Sequence, residues 1–450
     1  MKWKKSIVSV VTFVSVAFSN VPSAGVSAAE QSASATEIRT RRVSVAGDGS
    51  QVGRGAEFPL VNGDGRFVAF ASQSPKLVPG DDNGAMDVFV RDRQARTTEI
   101  VSVSSTGELG DGTSFPEAIS ADGRFVVFKS VASNFAEGDV DPGLEEALDV
   151  FIRDRETGVT ERISVTSDGA AALGPSFDAD VSDDGRFVVF ESGAGNLSDI
   201  DGDQTFDIFV RDRELRTTEL VSVSSTGEAG NLSSLAPAIS GDGRFVAFDS
   251  DADNLVEGDS NLAADSFVHD RSTGSTKIVS VDSAGNLGRW GGVSPEITPD
   301  GRFVLFSSLS KLVPRDTNKK EDAYLHNLGT GRTTRVTRSS SGRQGNGHSG
   351  PSGISDDGRY VSFGSYATNL VPNDTNGDWD YFRFDRVTKT TVRVNVNSQG
   401  RQARGGRDLL HSSRISGDGR FVVFESSASN LVRNDTNNAY DVFIRGPFDA

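Results

Sequence analysis

Seven copies of one heptapeptide constrain this chain more than any bulk property. "DGRFVAF" begins at Asp64 and Asp242, "DGRFVVF" at Asp122, Asp184 and Asp418, "DGRFVLF" at Asp300 and "DGRYVSF" at Asp357, spaced 57 to 62 residues apart. A catalytic motif is needed once, so a fixed period of this length marks repeat architecture before it marks chemistry.

Within each unit the order of segments is constant. The second unit reads "EAIS", "RFVVFKS", "DVFIRDR" and "VTERISV", four short stretches in which Val, Ile and Phe alternate with small or polar residues. That composition and period belong to strands. Asp-Gly between the first two stretches signals a tight hairpin whose central residues need positive φ, and "DRETGVT" makes a second turn between the third and fourth. Four antiparallel strands per unit, repeated seven times, predict an all-β, seven-bladed propeller.

The ends of the repeat support a closed ring. The last unit stops at "DVFIRGPFDA", after its third strand, while "RTRRVSV" at 39–45 matches the fourth-strand pattern "TTEIVSV" at 97–103. The N-terminal strand is therefore expected to complete the last blade, over a propeller spanning 37–450. An open solenoid would need caps instead.

The chain starts "MKWKKSIVSVVTFVSVAFSNVPSAGVSAAEQ", lysines followed by an apolar stretch and then small residues. This reads as a secretory signal over 1–29 with a short linker at 30–36, the apolar stretch being too short for a membrane span. Export to the periplasm or the extracellular space is expected. With no cysteine, disulfides, thiolate metal sites and a cysteine nucleophile are excluded. A net charge of -17 argues against nucleic-acid partners. A monomer is expected.

"SADGRFVVFKS" followed by "DVFIRDRETG" resembles the repeat of TolB-like β-propellers, with coverage from about Glu37 to Ala450. The resemblance implies the propeller fold. It does not imply one activity, because such repeats serve periplasmic translocation proteins, peptidase gating domains and polysaccharide lyases. This chain differs from TolB in lacking its N-terminal domain and in having a longer repeat.

The extra length lies between strands four and one, and between strands two and three. In an up-and-down blade both connections leave on one face, opposite the tight turns. Long loops on a rigid scaffold are where binding residues concentrate, so the long-loop face is expected to engage a protein or carbohydrate partner.

The loops between strands two and three share the pattern D-x-[ND]-x-x-x-D: Asp81, Asn83 and Asp87; Asp201, Asp203 and Asp207; Asp259, Asn261 and Asp265; Asp316, Asn318 and Asp322; Asp374, Asn376, Asp378 and Asp380; Asp435, Asn437 and Asp441. In the second unit Asp141 and Asp149 are more widely spaced. Oxygen donors at that spacing suit calcium, completed by carbonyls and water. The same residues also build Asx turns that hold a loop without metal.

A second candidate site is aromatic and basic. Trp290 and Trp379 fall in long-face loops, with His348, His411, Tyr440, Arg404, Arg407 and Arg414 nearby in blade order. Aromatic faces and arginines together suit an anionic glycan or a peptide. The resemblance to seven-bladed polysaccharide lyases implies an alternative, with His411 or Tyr440 as base and Arg414 neutralising a uronate. The sequence lacks HExxH, GxSxG and phosphate-loop motifs, so a binding scaffold is the expected function. "RDR" at the end of strand three is expected to place Asp92, Asp154 and Asp212 against Arg66, Arg124 and Arg186, and the fifth unit, which reads "HNL", to lack this pair.

Overall fold

In the computed structural model, residues 37–136, 148–201, 205–404 and 413–449 are described. The segment read as a secretory signal and the linker lie outside them, as do Asp141, Asp203, Arg407 and His411. The described residues form seven four-stranded antiparallel sheets and no helix. No helix among them is long and apolar enough to cross a membrane.

Each sheet is one blade with its strands in sequence order. Blade two, for example, runs Ser114–Ile119, Phe125–Ser130, Asp149–Asp154 and Val159–Arg162. Blade seven contains Ser413–Ile415, Val422–Ser426 and Asp441–Gly446, and Arg39–Arg42 pairs with the last of these, Arg42 opposite Phe443. The chain's own N-terminal strand closes the ring, as its sequence predicts.

Strands two and three form the buried middle of each blade. Phe128 and Phe151 stack at 5.7 Å in blade two, Phe190 and Phe209 at 5.9 Å in blade three, and Phe424 and Phe443 at 5.7 Å in blade seven. The apolar clusters join neighbouring blades: Val189, Ile208 and Val210 of blade three pack with Ile239, Val246 and Phe248 of blade four, and Val423, Val442 and Ile444 of blade seven pack with Val68, Phe70 and Phe89 of blade one. Each blade buries its apolar faces on its neighbours, which is why a single unit cannot fold alone.

The heptapeptide works at the plain face. Gly123 has φ 76° and lies against the ring of Phe67 in the preceding blade, Gly185 against Phe125, and Gly65 against Phe421. Phe67 is held between two guanidiniums, Arg66 at 4.5 Å and Arg155 of the next blade at 4.3 Å. The expected ion pairs form, with Arg66 to Asp92 at 2.6 Å, Arg124 to Asp154 at 2.6 Å and Arg186 to Asp212 at 2.7 Å. Blade five has Asn327 at the corresponding position, and its Arg302 pairs with Asp300 instead.

Inner strands meet around the central axis, and most are irregular there. Register shifts interrupt the first strand of blades one to six. Phe58, Asp178, Ala236 and Ser294 sit at the shift with positive φ. These bulges turn side chains that simple alternation would bury toward the central channel.

Candidate functional site

The acidic loops are built on their hydrogen bonds. In every blade the aspartate that opens strand three is buried and accepts a bond from the residue two positions past strand four, as Ser102 Oγ donates to Asp87 at 2.7 Å and Asn395 Nδ2 to Asp380 at 2.7 Å. The asparagine of the pattern forms an Asx turn, its oxygen accepting from Ala85 N at Asn83 (3.0 Å), from Ala263 N at Asn261 (3.0 Å) and from Lys320 N at Asn318 (2.9 Å). Asn376 and Asn437 do the same with Asp378 N and Ala439 N.

Three of these loops carry their own cation. Arg42 lies 3.1 Å from both Asp435 and Asp441, Arg393 lies 3.7 Å from Asp374 and 3.2 Å from Asp380, and Arg335 lies 3.7 Å and 3.8 Å from Asp316 and Asp322. A glutamine completes each set: Gln51 donates to Asp435 and Asp441, Gln344 to Asp316 and Asp322, and Gln402 to Asp374. Arg162 pairs with Asp149 in blade two. Blades one, three and four have Ile100, Leu220 and Ile278 at that strand-four position. Among the described residues no three His, Asp or Glu side chains converge as a metal-binding group.

The described aromatic and basic residues do not form the single cluster expected from blade order. Trp379 is buried at 5 % exposure, edge-on to Tyr366 at 4.9 Å, and its indole fills the space over Gly364. It is a packing residue, and the expectation of an open aromatic platform there is corrected. Trp290 is open at 56 % exposure, with Arg289 over its ring at 4.9 Å. His348 is half-buried between blades five and six, 3.4 Å from Lys320 Nζ. Tyr440 is half-buried, its carbonyl accepting from Ala56 N at 2.8 Å. His269 and His326 bond Thr276 and Thr333 at 2.9 Å, where blade one has Arg91 on Thr98, so they are structural.

Arg404 lines a cleft of about 850 Å³ beside blade six, with Arg401, Gln402, Asn373, Thr375 and Asp378. Arg401 and Arg404 are exposed, and neither is ion-paired among the described residues. Loop residues from the long face and Val392 and Arg393 of the outer strand form its walls.

Arg414 sits elsewhere, in the central channel. A cavity of about 360 Å³ there is lined by Glu117, Asp178, Asp180, Glu296 and Arg414. Burial pushes Glu117 up to about 7 against the pull of Lys129, which lies 2.9 Å away. Burial likewise pushes Asp180 up to about 6, although its oxygens accept from Ile239 N and Val181 N. Behind the wall, Glu191 is raised to about 8 and Asp249 to about 7, both chiefly by burial.

These buried acids have a defined structural task. A bulge leaves one backbone N–H without a ladder partner, and a carboxylate from the preceding blade accepts it. Glu191 takes Ala236 N at 3.1 Å, Asp249 takes Ser294 N at 3.2 Å and Glu425 takes Phe58 N at 2.9 Å. Sequence reasoning missed this ring. Its signal was the variable residue between Phe and Ser in strand two, which reads Ala71, Lys129, Glu191, Asp249, Ser307, Gly364 and Glu425.

No family model matches the sequence, and no curated protein matches it. Solved structures match the fold. The β-propeller domain of the Trilobed protease from Pyrococcus furiosus, described as having an open velcro topology, aligns with a TM-score of 0.52 at 12% identity over 88% of this chain and 96% of its own. Oligogalacturonate lyase from Vibrio parahaemolyticus aligns at 0.50 with 14% identity, over 91% and 97%. A TolB from Agrobacterium tumefaciens aligns at 0.41 with 13% identity, over 79% and 96%. The chain thus has the β-propeller architecture of the first two of these proteins, with its ring closed by Arg39–Arg42.

Proposed function

We propose that the protein is an exported binding scaffold that holds an anionic protein or glycan segment against its long-loop face. The observation that carries this reading is the cleft beside blade six, where Arg401 and Arg404 face solvent with no ion-pair partner among the described residues, beside Gln402, Asn373, Thr375 and Asp378. Guanidiniums present a planar fork that matches carboxylates and sulfates, and neighbouring amides and hydroxyls supply orientation. The cleft lies where the repeats differ, on loops supported by rigid blades.

Binding of the purified chain to a panel of acidic polysaccharides and acidic peptides, measured by calorimetry, tests it. Arg401→Ala with Arg404→Ala should weaken the best binder by at least about tenfold. Unchanged affinity in the double variant would move the contact off this cleft.

A catalytic reading has one observation in its favour, the raised carboxyls of Glu117 and Asp180 in a channel that also holds Arg414 and lies beside Lys129. Perturbed acids in a cavity are a mark of functional sites. Ultraviolet-absorbing unsaturated products from pectate or a similar polymer would establish a lyase and displace the scaffold reading.

A further inference from the structure

The guanidiniums that neutralise three acidic loops identify what blade one lacks. Strand register places Ile100 opposite Phe89, as Arg42 stands opposite Phe443, Arg335 opposite Tyr324 and Arg393 opposite Phe382. Leu109 bridges to Val103 as Gln51 bridges to Val45, Gln344 to Arg338 and Gln402 to Val396. The loop itself is unchanged, since Asn83 Nδ2 donates to Gly110 O at 3.0 Å just as Asn318 Nδ2 donates to Gly345 O at 3.0 Å. Blade one therefore keeps the two carboxylates and replaces both of their partners with aliphatic side chains.

The consequence is visible on the carboxylates. Asp87 is fully buried; its Oδ1 accepts from Ser102 Oγ, and its Oδ2, approached by the Asn83 side chain, has no partner at full hydrogen-bond distance. Asp81 is 7 % exposed and accepts no hydrogen bond from the described residues. Its homologue Asp316 accepts from Gln344 Nε2 at 2.7 Å and also from Tyr324. Two buried carboxylates in one loop, without the guanidinium and amide of their siblings, are stabilised by a positive charge between them.

We propose that the acidic loop of blade one binds a divalent cation, calcium by its chemistry, seated where the sibling blades insert a guanidinium and held by Asp81 and Asp87. Hard carboxylate oxygens suit calcium, and with only two carboxylates the rest of the shell falls to carbonyls and water, which sets the affinity at ~0.1–1 mM. Blades five, six and seven already hold a cation in the same seat and take none. This inference is independent of the anionic-partner reading, which uses different residues on a different blade.

Calcium titration of the chelator-treated full chain by calorimetry tests it, with thermal melts as a check on folding. Asp81→Asn should remove one binding equivalent, and so should Ile100→Arg combined with Leu109→Gln, which transplants the blade-seven groups and should keep a cooperative melt. Asp316→Asn should leave the calcium isotherm of the folded protein unchanged. Absence of calcium binding by the wild type up to about 10 mM, or an isotherm unaltered in both blade-one variants, would overturn the proposal. If the Ile100 variant fails to fold, Asp81→Asn alone decides between these outcomes.

Discussion

Gly65 lies face to face with the ring of Phe421, so the first copy of the repeat is stacked on the last. The same contact recurs between Gly123 and Phe67, and between Gly185 and Phe125. The Asp-Gly step thus does two things: it takes the positive φ of the hairpin, and it lets the aromatic ring of the previous blade approach the backbone.

Gly123→Ala separates these roles. At Gly123 a Cβ collides with the Phe67 ring and the φ of 76° is unfavourable, whereas Gly107 has φ 85° and nothing within 4 Å of its Cβ. Gly107→Ala should cost about 1 kcal/mol, for conformation alone, and Gly123→Ala at least about 2 kcal/mol, with overpacking added. Denaturant unfolding of the two variants checks the difference; equal costs would show that the ring contact contributes nothing.

Arg42 ties the N-terminal strand to two acids of the last blade, both inaccessible to solvent at their side chains. Arg42→Leu leaves Asp435 and Asp441 buried without a countercharge and should destabilise by about 3 kcal/mol at neutral pH. Burial already pushes Asp441 up to about 6 even with Arg42 beside it. The deficit should therefore shrink on acidification to pH 5, where the Asp441 carboxyl protonates. A deficit independent of pH would show that Arg42 acts through packing of its stem and not its charge.

The blades, the closure and the plain-face ion pairs were legible because each depends on local pattern. Strand period, an Asp-Gly turn and a missing fourth strand are all readable without distant partners. The channel acids were not legible, because bulges at Asp178, Ala236 and Ser294 shift the inner strands out of simple alternation. Trp379 misled for a related reason: its burial is decided by Gly364, in a strand-two position where other blades carry Glu191 or Asp249. The arginines of Arg42, Arg335 and Arg393 were visible in the sequence, but their meeting with the acidic loops required the strand register.

The buried acids predict an unusual pH profile. Glu191, Asp249 and Glu117 are raised to about 8, 7 and 7, whereas unfolded carboxyls titrate near about 4. The folded state binds more protons between these values, so their contribution is fully present below about pH 4 and is lost as pH rises through 7 to 8. Asp92, Asp154 and Asp270 act in the opposite sense, held low by bonds from Arg66, Arg124 and Arg244, but their contribution fades only under acid conditions. Between pH 5.5 and 8.5 the melting temperature should therefore fall, and Glu191→Gln should flatten the slope. A melting temperature that rises across this window would contradict the burial of Glu191.

The two tryptophans of the propeller should respond in opposite ways to truncation. Trp379 is buried in the cluster that joins blades six and seven, with Tyr381, Val422 and Phe424. Its loss leaves a cavity over Gly364, so Trp379→Ala should cost about 3–5 kcal/mol. Trp290 is mostly solvent-exposed and touches Arg289, so Trp290→Ala should change stability by no more than about 0.5 kcal/mol. Any change in partner affinity with Trp290→Ala can then be read as loss of a contact, because the fold is unaffected. With Trp379→Ala, weaker binding should track the unfolded fraction and recover in conditions that restore folding. Binding that stays weak in a fully folded Trp379→Ala protein would return this residue to the ligand site.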